Sequence, residues 1–238
     1  VDALRGDHPA RWLHAALGGL MILIVVAIHR ISMKVVNRAI EKAGVVGTEY
    51  RARPPHGNLA IICIGLYTLS ELLMPDSRFS GWLAFAAAAA VFNVMGDWHV
   101  GRAFFRRWVL MLYGVYALMA VGYALIGSAL VFETGLFGAG RHLLAIGAVG
   151  LSIYIVICIA GRTHCGHELD EGAWVPLGAA LIAASAIARA FDGWSFAGCL
   201  WVMAYAMLGA VMVPIFITAR HDGGCGCDGP QNNNEMGC

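Results

Sequence analysis

The sequence has few charged residues: Asp, Glu, Lys and Arg make up only 13% of its 238 residues, whereas hydrophobic residues make up 59%. A typical soluble domain carries about 25% charged and about 45–50% apolar residues. A chain with so little charge could not cover a surface in water, so we expect an integral membrane protein in a lipid bilayer. The formal net charge of +1 gives no reason to expect nucleic-acid binding.

Proline is scarce too, with seven residues, and the thirty glycines follow no three-residue period. This excludes collagen and disordered Pro/Gly tracts. The odd number of cysteines, seven, does not suggest a disulfide framework. No nucleophile–base pair or glycine-rich phosphate loop of the recognised kinds is present, so the sequence leaves open whether the protein is an enzyme.

Seven apolar stretches are long enough, or nearly so, to cross a hydrocarbon core of about 30 Å as helices. They are residues 12–36, 58–74, 80–97, 108–131, 141–161, 173–191 and 194–218. The alternating pattern of a β-barrel is absent. The sequence therefore predicts an all-α bundle of about seven transmembrane helices within residues 1–221, followed by a mobile Gly/Cys/Asn-rich tail over residues 222–238.

The basic residues divide unevenly between the two faces of such a bundle. One face receives eleven of the sixteen: Arg30, Lys34, Arg38, Lys42, Arg51, Arg53, Arg102, Arg106, Arg107, Arg162 and Arg220. The other receives Arg5, Arg11, Arg78, Arg141 and Arg189. Because Lys and Arg collect on the cytoplasmic side, we predict that the N-terminus is outside and the C-terminus inside, in the inner membrane of a bacterium.

Histidines are the most informative polar residues, since neutral imidazole is a common metal ligand. His142 and His164 are 22 residues apart, which is about 33 Å along a straight helix. They cannot bind one metal ion together, so they predict two sites at opposite faces unless each merely caps a helix end. Gly147 and Gly150 lie one turn apart and would allow either close helix packing or a flat macrocycle against the backbone.

A second group of candidate metal ligands follows the fifth span. His164, Cys165 and His167 combine imidazole with thiolate, which suits copper or zinc. Cys225 and Cys227 in the tail lie on the same predicted face and could complete such a site. The alternative is that the tail cysteines form a reduced, solvated pair.

Other polar residues near the spans allow two interpretations each. Asn93, Asp97 and His99 lie close together, and the arginines that follow (Arg102, Arg106 and Arg107) could neutralise haem propionates or anchor to lipid headgroups. Glu71, within the second span, could serve a proton path or extend to the outer surface. Tryptophans near span ends predict an aromatic belt: Trp12, Trp82, Trp98, Trp108, Trp174 and Trp194.

The segment from His142 through Gly147 and Gly150 to His164 and Gly166 resembles the C-terminal part of the NnrS family. Its members are membrane proteins described as containing haem and copper and linked to the nitric oxide response. They carry a histidine, glycines five and eight residues later, and a Gly-His-Thr-Gly-type turn. Family members are longer and have an additional N-terminal region.

The resemblance implies a haem- and/or copper-binding membrane protein of the nitric oxide response or of membrane redox chemistry. It implies His142 and His164 as ligands, Gly147 and Gly150 as points of close approach, and further partners at both faces: His14 outside, and His29 and His99 inside.

Two alternatives remain open. Tyr113 and Ile159 stand where the family carries a histidine and an arginine, so the chain could be a non-catalytic accessory or assembly subunit of a larger membrane complex. Alternatively, soft ligands could deliver copper to a partner enzyme by ligand exchange; they are Cys165, His167, Cys225 and Cys227.

Overall fold

The computed structural model describes residues 9–45 and 47–218, and these ranges form helices without any β-strand. There are seven helices in them: α1 (Pro9–Lys42), α2 (Pro54–Leu73), α3 (Arg78–Met95), α4 (Arg107–Phe132), α5 (Phe137–His164), α6 (Trp174–Ala190) and α7 (Trp194–Ile217). Six of them are long and apolar enough to cross a membrane, and α6, with 17 residues, is shorter. The predicted all-α membrane bundle of about seven helices is confirmed.

Neighbouring helices run in alternating directions, as their close contacts establish. Gly18 near the start of α1 faces Thr68 near the end of α2, and His29 further along α1 faces Gly57 near the start of α2. We call the face at which α1 begins the first face and the face at which α1 ends the second face. The first face therefore also carries the α2–α3, α4–α5 and α6–α7 turns.

The α2–α3 turn illustrates how the local sequence sets these ends. Pro75 cannot continue a helix in the ordinary way, and Asp76 adopts a left-handed backbone with φ of 58°. The Ser77 hydroxyl then accepts a hydrogen bond from the Ser80 backbone N–H at 3.1 Å, which caps the start of α3. The second and third spans are thus joined by a tight turn.

The core of the bundle lies along α4, which contacts α1, α3, α5 and α6. The largest fully buried side chains of α4 are Leu112, Tyr116, Met119, Tyr123 and Ile126. In contrast, α7 packs mainly on α6 and leaves most of its apolar surface exposed, as expected for a helix that faces lipid.

Two tryptophans depart from the predicted aromatic belt. Trp98 and Trp108 are buried, whereas Trp12, Trp82 and Trp194 are exposed. The Trp98 ring packs against Tyr50 with ring centroids 5.2 Å apart. Trp98 is therefore packed inside the protein at the second face and is not a lipid anchor.

Helix α5 is not the straight α-helix that its sequence predicts. It contains two π-helical segments, Leu143–Val149 and Ile157–Gly161. A Cβ atom at Gly147 would lie 3.2 Å from Leu118 and 3.3 Å from Ala186, so neighbouring helices crowd α5 at the first segment. Such π-turns are frequent at functional sites, and here they lie between His142 and His164.

Candidate functional site

A cavity of about 820 Å³ opens at the second face, between the end of α1, the α1–α2 connection and the end of α3. Its volume lies within the range of cofactor pockets, about 300–1,000 Å³. The residues that line it include Met33, Asn37, Tyr50, Arg51, Arg53 and His99. We call it the second-face cavity.

Tyr50 and Asn37 fix one wall of this cavity. The Asn37 side chain donates to the Tyr50 carbonyl at 3.1 Å and accepts from the Tyr50 backbone N–H at 2.7 Å. The Tyr50 hydroxyl lies 3.4 Å from Ser32 Oγ. Burial raises the pKa of Tyr50 to about 12, so its phenol stays neutral at physiological pH.

Asp97 holds the opposite side of the cavity together. Its carboxylate accepts a hydrogen bond from the Arg53 backbone N–H at 3.2 Å, and its Oδ1 lies 2.9 Å from His56 Nδ1. A Cβ atom at Gly57 would lie 3.1 Å from the His29 ring. His29 therefore packs closely against the backbone of α2 at Gly57.

His29, His56 and His99 all belong to the face predicted to be inner, but only His29 and His99 are among the predicted ligands. The partner of His56, Asp97, is 41 residues away in the chain, so spacing alone gave no signal. A histidine just before a predicted span, opposite the polar end of the next span, could have pointed to it.

His99 lies on the exposed rim of the cavity with one ring nitrogen engaged. Its Nδ1 is 2.5 Å from the carbonyl oxygen of Gly96. A carbonyl can only accept, so Nδ1 carries the hydrogen and Nε2 keeps the lone pair of the neutral ring. Metal-binding histidines are typically oriented in this way, with the second nitrogen donating to a carbonyl.

A buried ion-pair cluster lies at the first face. Glu71 on α2 forms an ion pair with Arg141 Nη2 on α5, and its Oε1 is 3.3 Å from His14 Nδ1 on α1. The Arg141 guanidinium also stacks 4.5 Å from the Phe137 ring centroid. Because the Glu71 carboxylate is held inside the bundle by these partners, it does not extend to the outer surface.

His142 lies apart from this cluster. It is half-buried and lines a cavity of about 430 Å³ at the first face, together with Arg189 and Asp192 from the α6–α7 turn. The residues lining that cavity do not include His14, so the predicted pair of outer ligands does not share it. Whether His142 binds a cofactor stays a prediction.

Gly147 and Gly150 face neighbouring helices. A Cβ atom at Gly150 would lie 3.4 Å from Ile182, and the Tyr205 hydroxyl on α7 donates to the Gly150 carbonyl at 2.8 Å. Like those at Gly147, these contacts are typical of close helix packing, which was one of the two interpretations of the glycine pair.

The α5–α6 loop carries the predicted sulfur and imidazole ligands at the second face. Cys165 is half-buried, and His164 and His167 are exposed. Within residues 9–45 and 47–218, no group of three His, Cys, Asp or Glu residues is arranged to hold a metal ion. Cys225 and Cys227 lie outside the described residues.

Family comparison agrees with the resemblance of the α5 segment. The sequence model described as NnrS protein matches residues 1–220 of the chain. The chain belongs to the NnrS family. Searches of curated proteins and of solved structures find no match.

The NnrS match includes both of the polar sites described above. Residues 1–220 contain the second-face cavity, the Glu71 cluster and the segment from His142 to His164. The cysteines Cys225 and Cys227 lie beyond the matched range. They are therefore a feature of this chain and not of the NnrS match.

Proposed function

We propose that this NnrS-family protein binds haem in the second-face cavity and acts in the nitric oxide response. The proposal rests on His99, which lines a cavity of cofactor size with Nε2 as its lone-pair nitrogen. Met33 lines the same cavity and offers a thioether, and histidine with methionine is an established pair of haem ligands. Haem held there would supply an iron atom that could bind nitric oxide in place of the weaker Met33 thioether.

The two arginines of the cavity would suit the propionates of haem. Haem carries two propionates, and guanidinium groups bind carboxylates through paired hydrogen bonds. Arg51 and Arg53 line the cavity and pair there with Glu49 at 3.0 Å and Asp97 at 3.6 Å. Both are largely exposed at the solvent side of the cavity, where they would exchange these carboxylates for the propionates. Of the arginines suggested by sequence, Arg106 and Arg107 are engaged elsewhere: Arg106 donates to the Lys42 carbonyl at 3.1 Å and Arg107 to the Gly172 carbonyl at 2.9 Å.

Optical spectra of the purified, full chain test the haem proposal. We expect a Soret band that shifts on reduction with dithionite and again on addition of nitric oxide, with iron near one atom per chain. His99→Ala should lose haem, and Met33→Leu should change the reduced spectrum. His167→Ala, an exposed histidine outside the cavity, is the matched control and should keep its haem.

The same variants separate the cavity from the α5 histidines. If His142→Ala or His164→Ala loses haem while His99→Ala keeps it, the ligands are those that the resemblance implies and the cavity is not the haem site. If the wild-type protein contains neither haem nor copper and a partner protein co-purifies in equal amount, the accessory-subunit alternative is favoured.

Copper binding at the second face is a second candidate function, and a site there would deliver copper to a partner enzyme. A Cβ atom at Gly161 would lie 2.8 Å from the Phe216 ring, so the end of α7 is next to the end of α5, shortly before Cys165. Cys225 is seven positions after Thr218, which corresponds to up to about 23 Å of extended chain. Cys225 and Cys227 are thus within reach of Cys165 and His167, and thiolate with imidazole suits copper.

Copper analysis of two variants tests this site. Deletion of the residues after Asp222, or Cys165→Ser, should lower the copper content without changing haem. Cys199→Ser is the control, because Cys199 is exposed on α7, away from the α5–α6 loop. Equal copper in all variants would refute the site.

A further inference from the structure

Glu71 is a buried carboxylate that the proposed haem site does not use. It is 7% exposed and lies in the last turn of α2. Ionisable side chains within membrane helices are costly, and they usually serve a function. Its partners come from two other helices, His14 from α1 and Arg141 from α5.

His14 connects this carboxylate with the first face. Its side chain is 27% exposed, while its Nδ1 lies 3.3 Å from Glu71 Oε1. An imidazole can take up a proton on one nitrogen and release a proton from the other. His14 is thus able to pass protons between water at the first face and Glu71.

Buried donors lie on the inner side of the same cluster. Among the described residues, no hydrogen-bond partner reaches the Tyr67 and Tyr123 hydroxyls or Arg141 Nε. Tyr67 is one turn before Glu71 on α2, its ring centroid is 5.4 Å from that of Tyr123 on α4, and it interacts electrostatically with Arg141. Buried polar groups are normally satisfied by protein or by ordered water, and an internal water needs two to four polar partners.

We propose that Glu71 is a proton-exchange site that is open to the first face through His14 and hydrated by water bound between Tyr67, Tyr123 and Arg141. A proton from first-face water binds His14 Nε2, and the Nδ1 proton passes to Glu71 Oε1. The carboxylate becomes a neutral acid, the ion pair with Arg141 breaks, and the guanidinium is stabilised by the bound water.

The surroundings of Glu71 determine the charge balance of this step. The groups that face the cluster are His14 from α1, Tyr67 on α2, Asp76 from the α2–α3 turn, Tyr123 from α4 and Arg141 from α5. With neutral histidine and ionised Glu71, the carboxylate and the guanidinium cancel. Uptake of one proton leaves the cluster with one positive charge, which Asp76 partly offsets. No haem is needed for this step.

Labelling with the apolar reagent dicyclohexylcarbodiimide tests the proton exchange, because it modifies protonated carboxyl groups in apolar surroundings. In vesicles of the full chain, Glu71 labelling should increase as the pH at the first face is lowered, and Glu71→Gln should abolish it. Glu133 pairs with Arg78 at 2.9 Å on the exposed part of the same face. Glu133→Gln is therefore the matched control and should leave the labelling of Glu71 unchanged.

Three results would overturn the proposal. Glu71 could stay unlabelled at every pH at which the protein remains folded, as expected for a purely structural ion pair. A water-soluble carbodiimide could label it equally well, as expected for an open surface group. Finally, His14→Gln could leave the rate of labelling after a pH jump unchanged. If Glu71→Gln does not fold, the double variant Glu71→Gln/Arg141→Met, which removes both charges, takes its place.

Hydroxyl-radical footprinting tests the bound water separately. Radicals generated from internal water modify nearby side chains, so the buried Tyr67 and Tyr123 should be modified in the folded protein. Tyr154 is the control: it is equally buried, but its hydroxyl donates to the Val175 carbonyl at 3.1 Å. Protection of all three tyrosines would refute hydration of the cluster. This outcome is independent of the haem measurements.

Discussion

At the scale of single residues, removing one partner of the ion pair between Glu71 and Arg141 should be strongly destabilising. Removing one partner of a buried pair leaves an uncompensated charge and costs roughly 3–5 kcal/mol. We therefore expect Arg141→Ala to lower the free energy of unfolding, measured with denaturant in mixed micelles, by this amount.

Arg78→Ala is the matched comparison. Arg78 and Glu133 form a pair of the same chemistry at the same face, but their side chains are 72% and 77% exposed. Exposed pairs contribute about 0–1 kcal/mol. Equal losses in the two variants would mean that the Glu71 cluster is hydrated enough to behave as a surface pair.

The sequence could not reveal the Glu71 cluster as a unit. Glu71 lies 57 residues after His14 and 70 residues before Arg141, and no periodicity relates the three. Their meeting depends on which helices pack together. Glu71 could be identified only as a polar residue in an apolar span.

A close approach of two backbones gives a second prediction. A Cβ atom at Gly140 would lie 2.6 Å from the Gly122 carbonyl oxygen, whereas one at Gly138 would meet nothing within 4 Å. Overpacking typically costs about 1–3 kcal/mol, and here backbone atoms would have to move. Gly140→Ala should lower the thermal midpoint of unfolding markedly, and Gly138→Ala should not. Similar midpoints would show that α4 and α5 separate easily.

At the scale of the elements, Asp170 stabilises the conformation of the α5–α6 loop at the second face. It accepts from the Gly172 N–H at 2.6 Å and from the Trp174 indole at 3.0 Å, and it pairs with Arg162 at 3.2 Å. Partial burial works to raise the pKa of Asp170, but these hydrogen bonds and the positive charge of Arg162 outweigh it and lower the pKa.

The loop should therefore be released in acid. Because the folded-state pKa of Asp170 is lowered, its contribution is complete above the ordinary carboxyl pKa and is lost as the pH falls through the lowered value. Protease cleavage in the loop should increase over that acid range, and Asp170→Asn should be cleaved already at neutral pH. Glu168→Gln is the control, since Glu168 is exposed and lies 3.8 Å from Arg38. Cleavage that does not depend on pH would contradict this role.

The helices could be predicted because long apolar runs leave few other structures possible in a membrane. The two π-helical segments of α5 could not be predicted from the sequence. The same glycine spacing is compatible with α- or π-helix, and the contacts that crowd α5 come from Leu118 on α4 and Ala186 on α6. The identity of those neighbours is a property of the bundle.

At the scale of the whole molecule, the polar sites are at opposite faces and the core along α4 separates them. The Glu71 cluster occupies the first face and the cavity with His99 the second. Between Tyr123 and Tyr116 on α4, the buried residues include Met119 and Ala120. This apolar layer should prevent protons taken up at Glu71 from crossing directly to the second face.

The orientation of the bundle then decides which compartment each site serves. The excess of Lys and Arg predicts that the first face is outside and the second face inside. Two exposed phenylalanines offer a matched test: Phe191 in the α6–α7 turn, 81% exposed, and Phe105 between α3 and α4, 77% exposed. Each is replaced by cysteine in a chain whose own cysteines are changed to serine.

A membrane-impermeant thiol reagent applied to intact cells should label Phe191→Cys, and Phe105→Cys only after permeabilisation. In that orientation Glu71 exchanges protons with the outer compartment, whereas the haem proposed at His99 would meet nitric oxide on the cytoplasmic side. The reverse labelling would contradict the predicted orientation. It would leave both sites intact and exchange their compartments, since their positions in the bundle do not depend on which face is outside.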